Sequence, residues 1–226
     1  MLDDGGDLMN KNRVAGLILG ATLGVFGLQG FAFGQSLPKN SYQYKAIVIK
    51  EARQQWGAEA NVALFAAQFH QESGWNNEAK SPVGARGLGQ FMPGTAKDVH
   101  NRYADLRVLE MYSPLWSIRA LFLYDRELYK AIKPLQGTYI HDCSRYAMML
   151  SAYNGGLGWL NRDRRLTINA GKNPDRWWDN VELYTARAGW AKKENRDYPV
   201  RIMLRHTQTY LAQGYPGVDV CKPSKN

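Results

Sequence analysis

Several things are scarce in this sequence, and each shortage narrows what the chain can be. Only two cysteines occur in 226 residues, Cys143 and Cys221. They lie far apart, so no C-x-x-C follows His70-Gln71-Glu72, whose H-x-E pattern would otherwise suit a zinc deaminase. His100, His141 and His206 show no ligand spacing such as H-E-x-x-H. Metal catalysis is therefore not expected, and no cofactor is implied. There is no internal repeat, no low-complexity tract and no convincing alternating strand. Acid is the scarcer charge, with 20 Asp and Glu against 29 Lys and Arg, a net +9. That balance suggests an anionic partner, whether nucleic acid, a membrane surface or an acidic polymer such as a cell wall. Core material is not scarce: 45% of residues are hydrophobic and 12% aromatic, enough for one ordinary domain plus a small appendage.

The appendage is N-terminal. Residues 14–34, VAGLILGATLGVFGLQGFAFG, carry no charge and are about as long as a bilayer-spanning helix requires. Lys11 and Arg13 precede them, which predicts an inside N-terminus and an exported remainder. Met9 begins a conventional basic n-region, MNKNR. Residues 1–36 thus read either as a signal peptide cut after Ala32-Phe33-Gly34 or as a retained signal-anchor in the inner membrane. Gly16-x-x-x-Gly20-x-x-x-Gly24 reads as helix dimerisation, or as a mildly hydrophobic anchor able to leave the membrane. Export to the periplasm or wall side makes nucleic acid a poor partner. The basic runs, such as residues 162–165, are interleaved with acids and match no nucleic-acid motif. Export would also let Cys143 and Cys221 pair, tying the tail to the body; two separate buried thiols are the alternative.

Residues 37–226 read as one α-rich domain of lysozyme size. Ser41 is a candidate cap for a helix through Trp56, and a second helix runs from about Asn61 to Ser73. Ser113-Pro114 is a cap followed by Pro at the first helical position, opening a helix that continues to Pro134. Another spans about Asp142 to Asn154 and stops at Gly155-Gly156. The last runs from Asn195 to Ala212, with Pro199 in its first turn. A short hairpin fits between Trp75 and Gly87. Residues 173–194 resist assignment. Core packing is the commoner fate of their Trp177, Trp178 and Trp190, with one indole expected to edge a binding cleft.

One carboxylate stands out. Val62, Phe65 and Phe69 form an apolar stripe, and Glu72 continues it at helical spacing before Gly74 turns the chain away. A carboxyl at the core's edge has its pKa raised, which suits a general acid. An exposed last-turn Glu, or a partner for a buried Arg, would look the same in sequence.

The surrounding strings resemble the soluble lytic transglycosylases. Glu72-Ser73 resembles that family's Glu-Ser pair, and Ser81 to Gln90 resembles its SPxGAxGLMQ loop. Residues 92–96, 152–156 and 194–198 resemble MPxTA, AYNxG and the late ET-x-x-Y element. Gly89 stands where Met is usual, which would widen or loosen the cleft; Asn195 stands for Thr, and Pro199 follows Tyr198. The resemblance implies a goose-lysozyme-like helical fold, Glu72 as catalytic acid, and Ser73, Ser81, Gln90, Met92, Tyr153, Asn154 and Tyr198 as substrate-binding residues. Gly94, Thr95 and Gly155 read as turn and cap residues. The expected partner is the glycan strand of peptidoglycan, acted on by a monomer. Ordinary glycosidases use two carboxylates; here Glu78 sits in a polar loop, and Asp98, Asp105 and Asp125 are equally explained by exposed helix faces. A reaction with one acid, closing a 1,6-anhydro ring on N-acetylmuramic acid, is therefore preferred over hydrolysis by a muramidase. A non-catalytic wall-binding module is the alternative of another class. The role such a domain would serve is phage lysis or bacterial wall remodelling.

Overall fold

The computed structural model describes residues 36–222. The calls on residues 1–35, including the apolar segment and its cleavage or retention, lie outside the described residues. Among those described, no helix is long and apolar enough to cross a membrane.

The described chain is helical. α1 (Lys39–Trp56), α2 (Val62–Ser73), α4 (Pro114–Ala131) and α5 (Asp142–Gly155) fall where their sequence signals place them. α3 (Pro93–Arg102) and α6 (Leu157–Asn169) are additional. Ser113 caps α4 as expected, accepting from the Trp116 N–H at 3.4 Å. Ser41 does not cap α1: the helix starts earlier, after Pro38, and Ser41 is fully buried within it.

α2 is the central rod. Every residue from Val62 to Phe69 is buried, so the helix is enclosed all round rather than striped, with Gln68 the one polar side chain among them. It packs against α1, against α8 (Thr207–Ala212) and against the segment before α8. Phe65, Phe69 and Phe122 meet edge to face beneath it. α4 packs on α1 and α5, and α5 in turn on α6 and α7 (Gly189–Pro199). The hairpin expected at residues 75–87 is reduced to two isolated antiparallel bridges, Lys80 with Arg86 and Arg86 with Phe91.

The last helical stretch differs most from expectation. It begins at Gly189, runs through α7, continues as a π-helical segment Val200–His206 and ends as α8. Pro199 therefore closes α7 instead of opening a helix. Its missing N–H breaks the regular ladder there, and the chain passes directly into the wider winding. The C-terminal segment then doubles back over the start of α2. The Ala63 N–H donates to Pro216 O at 2.8 Å, and Asn61 Nδ2 donates to Val218 O at 2.9 Å. A disulfide joins Cys143, at the start of α5, to Cys221.

Candidate active site

The end of α2 opens onto a cleft of about 440 Å³. Gly74 terminates the helix in the left-handed region, φ 58°, with its N–H bonded to His70 O. The rod thus stops with Glu72 facing the cleft. Ser81, Gln90, Met92, Tyr153, Asn154 and Tyr198 line the same cleft. The loop from residue 81 to 92, the end of α5 and the end of α7 are what bring these six beside Glu72.

Ser73 is the exception. Its hydroxyl donates back to Phe69 O at 3.3 Å, and it does not line the cleft. A last-turn hydroxyl has that carbonyl within reach.

Each remaining group is held. Gln90 has a positive φ of 49°, and its amide Nε2 donates to Gly87 O at 2.9 Å and Ala79 O at 3.1 Å. The side chain therefore staples the loop, leaving its Oε1 for other use. Ser81 does similar work: its Oγ accepts from the Ala85 N–H at 2.9 Å. The Asn154 Oδ1 accepts from Asn195 Nδ2 at 3.0 Å. Asn195 is itself buried and tied to Ser151 and Arg196. Asn195 thus donates to the cleft wall through Nδ2, while its Oδ1 is taken by Ser151 and Arg196. Tyr153 OH donates to Gly89 O at 2.6 Å. A Cβ at Gly89 would lie 2.8 Å from the Phe91 ring and 3.1 Å from that hydroxyl. Gly89 consequently leaves no gap in the cleft: Phe91 and Tyr153 close over it.

Glu72 is the chemically unusual member. Burial pushes its carboxyl up to about 8; the Tyr198 hydrogen bond opposes this, and the negative Glu194 adds to it. Tyr198 is buried, and its hydroxyl donates to Glu72 Oε1. No cation is paired with Glu72 among the described residues. A carboxyl in this state still holds its proton at neutral pH and can give it to an oxygen in the cleft.

Three residues beyond the expected set also matter. Glu194 and Arg201 line the cleft with Tyr198. Their spacing, four and three residues either side of Tyr198, is that of one helix face, a signal available in sequence. Asp125, a candidate with an exposed-face alternative, is fully buried, its carboxyl held well above the ordinary range by burial. It is not among the residues that line the cleft. Of the tryptophans, Trp177 is core and Trp178 bonds Cys143 Sγ, whereas Trp190 is 76% exposed. His70 packs its ring on His206.

The sequence profile described as "Transglycosylase SLT domain" matches residues 47–175. The membrane-bound lytic murein transglycosylase F of Pasteurella multocida is 38% identical over 116 residues, 51% of this chain and 21% of that one. Its namesake in Vibrio cholerae is 35% identical over 126 residues, 56% of this chain and 22% of that one. This chain therefore spans about a fifth of the length of these curated relatives. Among solved structures, the 70 kDa soluble lytic transglycosylase of Escherichia coli superposes with a TM-score of 0.53 at 21% identity. The match covers 76% of this chain and 25% of that one, a likeness of fold.

Proposed function

The chain belongs to the transglycosylase SLT domain family, and from that premise we propose that it cleaves peptidoglycan as a lytic transglycosylase, with Glu72 as its single acid and base. The carrying observation is Glu72 itself: a carboxyl at the end of a buried rod, raised to about 8, facing a cleft and held by a tyrosine hydroxyl.

The chemistry follows from that state. Protonated Glu72 gives its proton to the oxygen between N-acetylmuramic acid and N-acetylglucosamine as that bond breaks. The cationic sugar is stabilised by its own acetamido group and by surrounding dipoles. Glu72, now a carboxylate, accepts the proton of the same sugar's C6 hydroxyl, whose oxygen closes the 1,6-anhydro ring. One residue reversing its role is ordinary acid–base logic. Tyr198 steadies the carboxylate formed midway, since its hydrogen bond favours the charged form. Glu194, the other carboxylate lining the cleft, is exposed, which fits poorly with a second buried acid. Oε1 of Gln90 and the amide of Asn154 suit acetamido and hydroxyl groups. The Ser81 loop would contact the sugar near the cut. Activity on the wall side of the inner membrane accords with the basic charge and with the disulfide.

Digestion of purified peptidoglycan, with products read by mass spectrometry, tests the reading. Anhydromuropeptides are expected. Reducing ends instead would assign a hydrolytic muramidase, and full lysis by Glu72→Gln would remove Glu72 from the chemistry.

A further inference from the structure

Asn195 is buried where α7 packs on α5, and its side-chain amide can lie only one way round. Nη1 of Arg196 lies 2.7 Å from one of its polar atoms; a guanidinium only donates, so that atom is Oδ1. The backbone oxygen of Ser151 lies 2.9 Å from the other; a carbonyl only accepts, so that atom is Nδ2. The Ser151 hydroxyl adds a second donor to Oδ1 at 2.8 Å. Exchanging nitrogen and oxygen would set donor against donor and acceptor against acceptor in a buried site.

Arg196 is the fixed point of this arrangement. Its Nε donates to Glu182 O at 2.8 Å, its Nη2 donates to Asp163 Oδ2 at 2.9 Å, and its guanidinium lies 5.0 Å from the Trp177 ring. Asp163 also pairs with Arg187, so one carboxylate serves two guanidiniums. Gly155 leaves the room that the Asn195 amide needs: a Cβ there would stand 2.7 Å from Nδ2. The same Nδ2 reaches Asn154 at 3.0 Å. Because it can only donate, the atom it meets is the Asn154 oxygen, and the NH2 group of Asn154 is left for the cleft that the residue lines. Gln90 is turned the opposite way, its NH2 group spent on Gly87 O and Ala79 O.

We propose that Asn195 is a positioning residue for the cleavage reaction: held by Arg196, it turns the Asn154 amide so that the cleft meets an N–H donor there. The proposal rests on the transglycosylase reading and deepens it, because Asn195 acts through Asn154 alone. The cleft then offers a donor at Asn154 and an acceptor at Gln90 Oε1, and the two together match the carbonyl and N–H of an acetamido group. Asn at the position where Thr is usual makes the orientation one-way. A hydroxyl rotates to suit either orientation of Asn154, whereas the Asn195 amide, engaged at both its oxygen and its nitrogen, admits only one.

The test uses the full chain carrying Glu72→Gln, so that binding is read without turnover. Side-chain amide hydrogen exchange, followed by NMR, reads the orientation directly: the NH2 group of Asn195 should be protected and that of Asn154 should exchange freely. The reverse pattern would overturn the proposal. Calorimetry with the β-1,4-linked N-acetylglucosamine tetramer reads the consequence. Asn195→Asp shows Asn154 only oxygens, so the Asn154 amide must turn and present its own oxygen to the cleft. Affinity should fall about tenfold, the scale of one hydrogen bond. Asn154→Asp leaves Asn195 and Arg196 in place, gives the cleft an oxygen by the other route, and should lose as much. In an Asn154→Ala background, Asn195→Asp should cost nothing further. An equal loss in both backgrounds would make Asn195 structural only and overturn the proposal, as would parent-like binding by Asn154→Asp. A protected Asn195 amide with no tetramer binding at all would sink the cleavage reading, and the positioning role with it, while the amide orientation stood.

Discussion

Two carboxyl groups in this protein are both pushed upward by burial and yet end in opposite states. Asp175 accepts hydrogen bonds from the backbone N–H groups of Leu135, Gln136 and Gly137 and an ion pair from Arg164. Burial alone would raise it, but those donors outweigh burial and hold it below its ordinary value of 3.8. Glu72 has one tyrosine hydroxyl and, among the described residues, no paired cation, and burial carries it up to about 8. What separates the structural anion from the proton donor is the set of donors that opposes burial: three backbone N–H groups and a guanidinium in one case, one hydroxyl in the other.

The largest effect that sharpens this contrast is Glu72→Gln. Loss of acid–base catalysis should cut anhydro-product release by about 10²–10⁴-fold, measured on purified peptidoglycan. The same variant should gain stability. Glu72 is raised above its ordinary 4.5 by folding, so the folded state keeps a proton that the unfolded state loses between pH 4.5 and about 8. The parent therefore weakens as pH rises through that window. The variant's advantage should grow with it and level off above, as read by denaturant titration across pH.

The mirror experiment is Asp175→Ala. It strands Arg164, 2% exposed at its side chain, without its counter-charge. A cost of about 3–5 kcal/mol is expected by urea unfolding, with no shift in the pH profile of cleavage. Next in size is the disulfide: Cys221→Ser should cost about 2–4 kcal/mol through lost closure of the long loop between its partners.

Two smaller changes adjust Glu72 alone. Tyr198→Phe removes the bond that lowers its pKa, so the alkaline limb of the kcat/KM profile should move upward from about 8. Glu194→Gln removes a neighbouring negative charge that raises it, so the limb should move down, by less, since this is the weakest of the three influences. Limbs that stay fixed in both variants would break the link between Glu72's surroundings and its chemistry.

How much of this was legible in sequence depends on what each helix buries. α2, α4 and α5 bury mainly apolar side chains and carry clear stops or caps. α6 buries Leu160, Asp163, Arg164 and Thr167, so its inward face is largely polar and hydrophobic periodicity cannot reveal it. Asp163 serves Arg187 and Arg196, partners more than 20 residues away in sequence. The start of α7 was hidden for a related reason: it has no side-chain cap, and its residues are mostly polar. In the cleft, Glu72, Gln90, Tyr153, Asn154 and Tyr198 could be named because their motif strings survive. Arg201 was not named: it belongs to no string, and its spacing from Tyr198 was its one signal, in a stretch that winds as a π-helix after Pro199. The failure of Ser73 to line the cleft is equally local, since a hydroxyl near a helix end turns to its own backbone when it can.

The return of the C-terminal segment over Asn61 and Ala63 has a mechanical corollary. α2 is 12 residues long, about 18 Å at 1.5 Å per residue. Glu72 is in the last turn of that rod, and Pro216 and Val218 hold its first turn from the opposite end. A proteolytic nick after Gly214 would leave every cleft residue in the polypeptide, yet loosen the aim of the proton donor from the opposite end of the helix.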